Sequence, residues 1–281
     1  MERDEWVQHC DELLTVHPVA TTLLRPRSNK LIEAMVNEAQ RKQALADIRE
    51  NIARSGLHIY LVSDGATPRF AYTIGLSESI GAELILAGAI FYMRDDVRKV
   101  ISGIAAQLKA DRDREVFEVT GQGSFALRRA HSSWATEFML GAFDYYQKRE
   151  IPALQIVPDK AHWTIDVPDM AAPWSATKEP IWRWQREAWT YPVPKEATAT
   201  TNLAALRGGR VTEAVRWEED NWELFAGAGP DVSKDELRVV PLGTLVAADP
   251  SLVAVMNLEV GAGLWRDDIS EWHPWAKTRT N

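Results

Sequence analysis

His58, Tyr72, Thr73, Glu83 and Gln155 are polar residues set into apolar runs, and Gly75 ends the run Phe70-Ala-Tyr-Thr-Ile-Gly75. Histidine titrates near neutrality and a tyrosine hydroxyl can pass a proton, so His58 with Tyr72 has the chemistry of a general acid-base pair. Glu83 would orient the imidazole, while Thr73, Gly75 and Gln155 would complete a small-molecule pocket. The same residues are equally the hydrogen-bonded polar groups of a sheet face, and Glu83 equally a solvated strand edge; no reaction class follows from them.

No other constellation is more complete. His131, His162 and His273 lack the i, i+4 spacing of a helical metal pair and have no cysteine companions, so neither a metal nor a cofactor is expected. Asp159, Asp166 and Asp169 surround His162 as an acidic loop whose sharper alternative is weak divalent-cation binding. Gly121-Gln-Gly123, Gly227-Ala-Gly229 and Gly261-Ala-Gly263 lack both the Lys-Ser/Thr of a phosphate loop and the third glycine of a dinucleotide fingerprint. Ser77, Ser102, Ser124 and Ser133 lack the Gly-x-Ser-x-Gly elbow of a hydrolase. The lone Cys10 excludes an internal disulfide and reads as a small buried hydrophobe.

Composition narrows the partners. The chain has 281 residues, 46% of them hydrophobic, and a net charge of -8, a field that repels nucleic acid and favours a basic partner. No apolar run approaches the roughly 18 residues of a membrane span, and the charged start Met-Glu-Arg-Asp-Glu-Trp is unlike a secretory signal, so a soluble cytoplasmic protein is expected. Of 12 tryptophans, most follow Ala161. Trp182-Arg-Trp184-Gln-Arg186 interleaves cations and rings and is read first as intramolecular packing. Glu218-Glu-Asp220, between Trp217 and Trp222, is an acidic knob flanked by aromatics and suits a basic protein surface. Trp217, Glu218, Glu219, Trp222, Trp265 and Trp272 are the candidate partner-binding residues.

The elements that must position these residues read as mixed α and β. An amphipathic start carries Trp6, Cys10, Leu13 and Leu14; a helix from Ser28 or Asn29 to Ser55 follows, with Leu45, Ile48 and Ile52 as its stripe and Gly56 as its C′ residue. Leu57 to Val62 and Phe70 to Gly75 alternate as antiparallel neighbours across the turn Ser63-Asp-Gly-Ala-Thr-Pro68. Glu83 to Ala87 is a buried strand, and Val97, Val100, Ile101, Ile104 and Leu108 mark one helix face. Strands are expected at Val116–Thr120, Ser124–Leu127, Ala153–Val157, Trp222–Gly227 and Leu237–Val240. Helices are expected from Trp134 to Lys148, capped by Ser133, and after Asp249-Pro250. The fold class is α+β, a mixed, mainly antiparallel sheet packed by helices, with a second smaller α+β module. The expected domains are a helical cap over 1–46, an α+β domain over 47–170, a Pro- and Trp-rich arm over 171–210 with Thr198-Ala-Thr-Thr201 as its flexible point, and a module over 211–281.

The run Arg69-Phe-Ala-Tyr-Thr-Ile-Gly-Leu-Ser-Glu78, followed by Glu83-Leu-Ile-Leu-Ala-Gly88, resembles the signature of the bacterial domain of unknown function 4262. Gly56-Leu-His-Ile-Tyr60 before it, and Tyr145-Tyr146 with Pro152-Ala-Leu-Gln-Ile-Val-Pro-Asp159 after it, extend the resemblance over about 47–170. Ala82 departs from that pattern, where a proline is usual, and Ala161-His-Trp163 replaces a glycine-aromatic ending. The resemblance implies a fold unit and no activity. Val211 to Trp275, through Trp217-Glu-Glu-Asp-Asn-Trp222, Val240-Pro-Leu-Gly243, Asp249-Pro-Ser-Leu252 and Gly261-Ala-Gly-Leu-Trp-Arg266, is similar more loosely to toxin-immunity domains of the unknown-function class 2185. The function expected is therefore a non-catalytic protein-binding protein of immunity or regulatory type, the alternative being an enzyme or small-molecule binder with its pocket at His58, Tyr72, Thr73 and Glu83.

Overall fold

A computed structural model describes residues 29–63, 65–227, 232–267 and 271–275. The amphipathic start and Cys10 lie outside the described residues. The chain divides into two units, Met1–Asp47 and Ile48–Asn281. The described part of the first is the helix α1 (Asn29–Ser55) as far as Asp47, with Glu38 and Lys42 paired at i, i+4 on its exposed surface. The second unit opens within that helix: Ile48 is buried, and Gly56, at φ 77°, ends the helix by donating its N–H to the Ile52 carbonyl.

The second unit is built on two six-stranded sheets. The first takes β1 (His58–Val62), β2 (Phe70–Ile74), β3 (Glu83–Ala87), β4 (Val116–Val119), β5 (Gly123–Arg129) and β6 (Ala153–Pro158), in the order β1-β2-β3-β6-β5-β4. All its pairings are antiparallel except β3 with β6. Between β2 and β3 lies the single turn α2 (Ser77–Ile80), and after β3 comes α3 (Arg94–Ala110). Val97, Val100, Ile101, Ile104 and Leu108 of α3 are all buried, against Ala71, Leu84, Leu86, Phe117, Phe125 and Ile156 of the sheet. Removing each such side chain from water contributes about 1.5–3 kcal/mol, enough to hold α3 on this face.

The opposite face meets α4 (Ser132–Phe138) and α5 (Leu140–Tyr146), with Phe70 edge-on to Phe138 and to Trp182. A single helix capped by Ser133 was the expectation; instead His131 is the cap, accepting from the Ser133 N–H, and the helix breaks at Met139. The Gly141 N–H donates to the Tyr72 hydroxyl at 3.1 Å, and that hydroxyl would come within 2.7 Å of a Cβ at position 141, so a glycine is required there and the sheet fixes the kink.

The second sheet has the order β10-β7-β9-β8-β11-β12, from β7 (Thr198–Asn202), β8 (Glu213–Arg216), β9 (Asn221–Phe225), β10 (Leu237–Pro241), β11 (Gly263–Trp265) and β12 (His273–Pro274). Thr198–Thr201 is thus no flexible point but an inner strand, parallel to β9 and antiparallel to β10. Its alternation of β-branched and small residues is what a strand between two others needs. One face carries Ala199, Ala214, Trp222, Leu224 and Val240 into a core that also takes α6 (Leu203–Leu206), α7 (Leu242–Ala248) and the 3₁₀ helix Pro250–Asn257. Asp249 caps that last helix as expected, accepting from the Ser251 N–H. The second sheet therefore begins inside the interval 171–210, before residue 211.

The interval also packs. Trp182 and Trp184 are buried in a 3₁₀ helix (Pro180–Gln185) and donate their indole N–H groups to the carbonyls of Asp166 and Gly243. Arg238 of β10 donates to the Phe91 carbonyl at 2.7 Å, and Ile90, Phe91 and Ile165 pack in the core of the second sheet. The architecture is α+β with two mixed, mainly antiparallel sheets. Among the described residues no helix is long and apolar enough to cross a membrane.

Candidate functional site

Glu83 is fully buried at the start of β3, where the chain has just turned back from β2. Its carboxyl oxygens accept from Thr73 Oγ1 at 2.6 Å, Ser77 Oγ and Ser77 N at 2.8 Å each, Gly75 N at 3.1 Å, Leu76 N at 3.3 Å and Tyr146 Oη at 2.5 Å. Thr73 Oγ1 in turn accepts from the Leu84 N–H. Gly75 stands at φ 111°, and a Cβ there would meet Ile52 at 3.0 Å, so the bend that aims three successive N–H groups at Glu83 needs glycine. Burial, then the hydrogen bond to Glu83, raises the Tyr146 hydroxyl well above its ordinary range. Every lone pair of this carboxyl is engaged, which makes it a fastening between β2, α2, β3 and α5.

The other candidate pocket residues do not converge on it. His58 is paired through Nδ1 with Asn51 at 3.1 Å, and Tyr72 turns its hydroxyl to Gly141 under a stacked Tyr60. Gln155 donates to the Pro168 carbonyl and accepts from the Met170 N–H, fastening the chain that follows β6. Surface cavities of about 450 and 300 Å³ lie elsewhere, and none of the six residues lines either. The acidic loop also disperses. Asp159 holds His162 at 2.7 Å and the Ser124 N–H, Asp166 is buried against Thr164 and Ile90, and Asp169 is exposed, so the three do not form a cation site. Among the described residues no group of three or more potential ligands could hold a metal ion.

The second sheet presents a different surface. Its helices pack on the face of Trp222 and Leu224, and the alternate residues lie on the other face, where Val215 and Asn202 are nonetheless buried. Across the ladder these form two rows, Val239, Thr200, Glu223, Val215 and Gly263, then Leu237, Asn202, Phe225, Glu213, Trp265 and His273. The Trp275 ring lies on Gly263, where a Cβ would come within 2.9 Å of it. Trp217 continues the outward alternation of β8. Trp217 is 38% exposed, Trp265 46%, Trp275 42% and Val239 51%. At the adjoining hairpin tip Glu218, Glu219 and Asp220 are exposed, and the Arg216 guanidinium grips the carbonyls of Glu218, Glu219 and Leu258. The backbone of the tip is therefore held, with its three carboxylates exposed.

Residues 51–163 match the family described as Domain of unknown function (DUF4262). No curated protein and no solved structure matches the chain. The matched segment runs from the last turn of α1 through the first sheet and includes Thr73, Gly75, Ser77, Glu83 and Tyr146, the residues of the Glu83 fastening. It ends before the second sheet, so the likeness of that sheet to immunity domains has no match beside it.

Two candidate partner-binding residues are placed otherwise than expected. Trp222 is fully buried, its ring in the core of the second sheet and its indole N–H on the Val255 carbonyl, because β9 points it inward with Leu224. Trp272 is half-buried, with its ring 4.1 Å from the Arg266 guanidinium, which is itself buried and bonded to Val211 O, Ser251 Oγ and Asp249 Oδ2. Trp217, Glu218, Glu219 and Trp265 do share the exposed surface. Trp275 and His273 join them, although strand period and register alone, without pairing partners, did not reveal it.

Proposed function

We propose that this chain is a non-catalytic binding protein that captures a basic protein partner, of regulatory or immunity type, on the outer face of its second sheet. The observation that carries the reading is the grouping of Trp217, Trp265 and Trp275 on a sheet face that no helix of the described residues covers, bordered by the carboxylates of Glu213, Glu223 and the 218–220 tip. Exposed rings of this size are the anchors of protein interfaces, and a carboxylate border speeds encounter with a cationic surface. The net charge of -8 acts in the same sense at longer range. The fully engaged carboxyl of Glu83 supports binding over catalysis, since a catalytic carboxyl must have a lone pair or proton to give.

The test is affinity capture from the native host at low ionic strength with wild type, Trp265→Ala/Trp275→Ala, and Glu219→Lys. A basic protein retained by wild type, released by salt and lost from both variants is the expected result. Glu219→Lys should melt as wild type does, because its side chain is exposed; the double tryptophan variant loses half-buried ring contacts, so its capture is read at a temperature where its far-ultraviolet circular dichroism matches wild type. Retention that is indifferent to both variants, or no retained protein, would overturn the proposal.

A further inference from the structure

We propose a second site, on the first sheet's side of the molecule: the groove between α4, α5 and residues 149–153 binds a small monocarboxylate with a short apolar body. Cavities of about 450 and 300 Å³ adjoin here, sharing Ser132, Glu150 and Ile151. The larger alone is within the size range of small-ligand pockets. Its floor is apolar, with Ile151, Ala153 and Ala135 all buried. Its rim is cationic in a protein that is otherwise acidic.

Arg129 lines the larger cavity and Arg149 the smaller, and among the described residues neither has a carboxylate within 4.0 Å or a hydrogen-bond partner. Arg186, by comparison, is paired with Glu137 and Arg183 with Glu187. His131 also lines the larger cavity. Its Nδ1 accepts the Ser133 N–H as the cap of α4, so Nε2 is the ring nitrogen left for a ligand. Arg129, His131 and Arg149 line the two adjoining cavities with one carboxylate, Glu150, among them, so a singly charged head is favoured over a doubly charged one. A carboxylate matches the planar fork of arginine, and an apolar body would cover Ile151 and Ala153.

Benzoate is the probe, with benzamide as its neutral isostere and inorganic phosphate as the dianion. Calorimetric titration of the full chain should show saturable benzoate binding, weakened about tenfold or more in Arg129→Ala and in Arg149→Ala. Amide resonances of Ser132 and Ile151 should shift on titration, which locates the site. Both variants should keep the wild-type melting temperature, since the side chains are exposed and unpaired. Benzamide binding as tightly as benzoate, phosphate binding in preference, or shifts confined to residues outside the groove would each overturn the proposal. The outcome is independent of partner capture, because the groove shares no residue with the tryptophan face.

Discussion

At the scale of single residues, two buried acids solve the same problem differently. Glu83 is surrounded by donors, three of them backbone N–H groups that cannot turn away. Glu83→Gln places an NH₂ group among donors, so it loses acceptors and leaves neighbouring donors unmet. We expect a loss of about 2–3 kcal/mol in urea unfolding, with a native fold retained at low denaturant. Asp166 is fully buried too, but with fewer donors: it accepts from Thr164 Oγ1 at 2.6 Å and Ile90 N at 3.2 Å, and burial pushes its carboxyl up to about 6 against the partial opposition of those bonds, its own backbone N–H and the Arg69 charge. A folded-state value above the unfolded one means that stability is fully present below about pH 4 and is lost as pH rises through 6. Asp166 should thus cost up to about 3 kcal/mol between pH 4 and pH 7. Asp166→Asn can keep both contacts, accepting from Ile90 and donating to Thr164. It should raise stability at pH 8 and flatten the slope between pH 4 and 7; an unchanged slope would show that Asp166 does not titrate there.

At the scale of elements, the informative strand is β7. Its sequence, Thr-Ala-Thr-Thr-Asn, carries little apolar mass and follows a proline-rich interval, so composition marks it as a hinge. Yet it lies between β10 and β9 with partners on both sides, and Thr201 and Asn202 add bonds to the carbonyls of Leu224 and Ala226. Amide exchange of Ala199, Thr200 and Thr201 should accordingly be among the slowest of the second sheet, while the amides of Glu219 and Asp220 at the exposed hairpin tip exchange fast. Rapid exchange at those three amides would mean that the ladder opens locally.

At the scale of the whole molecule, the two sheets share their fastenings. Trp184 from the connecting interval donates to Gly243 in α7, Arg238 of β10 donates to Phe91 beyond β3, and the Ile165 N–H donates to the Leu206 carbonyl of α6. Residues of the first sheet's connections sit in the second sheet's core, so neither can lose its packing alone. Residues 48–281 should therefore unfold in one calorimetric transition, with equal van't Hoff and calorimetric enthalpies. Trp184→Ala should lower that transition without splitting it; two resolved transitions would show separate cooperative units.

Much of this was written in local pattern. The stripe of α3, the β1–β2 hairpin, the caps at Gly56 and Asp249, the α+β class and the acidic aromatic segment at 217–222 follow from period, turn chemistry and charge, which act between near neighbours. What lay beyond the sequence depends on which strands pair. Glu83 is a polar residue in an apolar run until β2, α2 and α5 bring six donors to it, which converts a candidate for catalysis into a fastening. Trp217 and Trp222 are five residues apart and look equivalent as anchors, but they point to opposite faces of one sheet. The strand period separates them, yet only the layer of helices on the Leu224 side decides which is core and which is surface. The same holds for Trp275, whose exposure depends on β12 pairing with β11 and on a glycine beneath its ring. Local sequence sets what each segment can be; contacts between residues tens to hundreds of positions apart decide which face of it meets water.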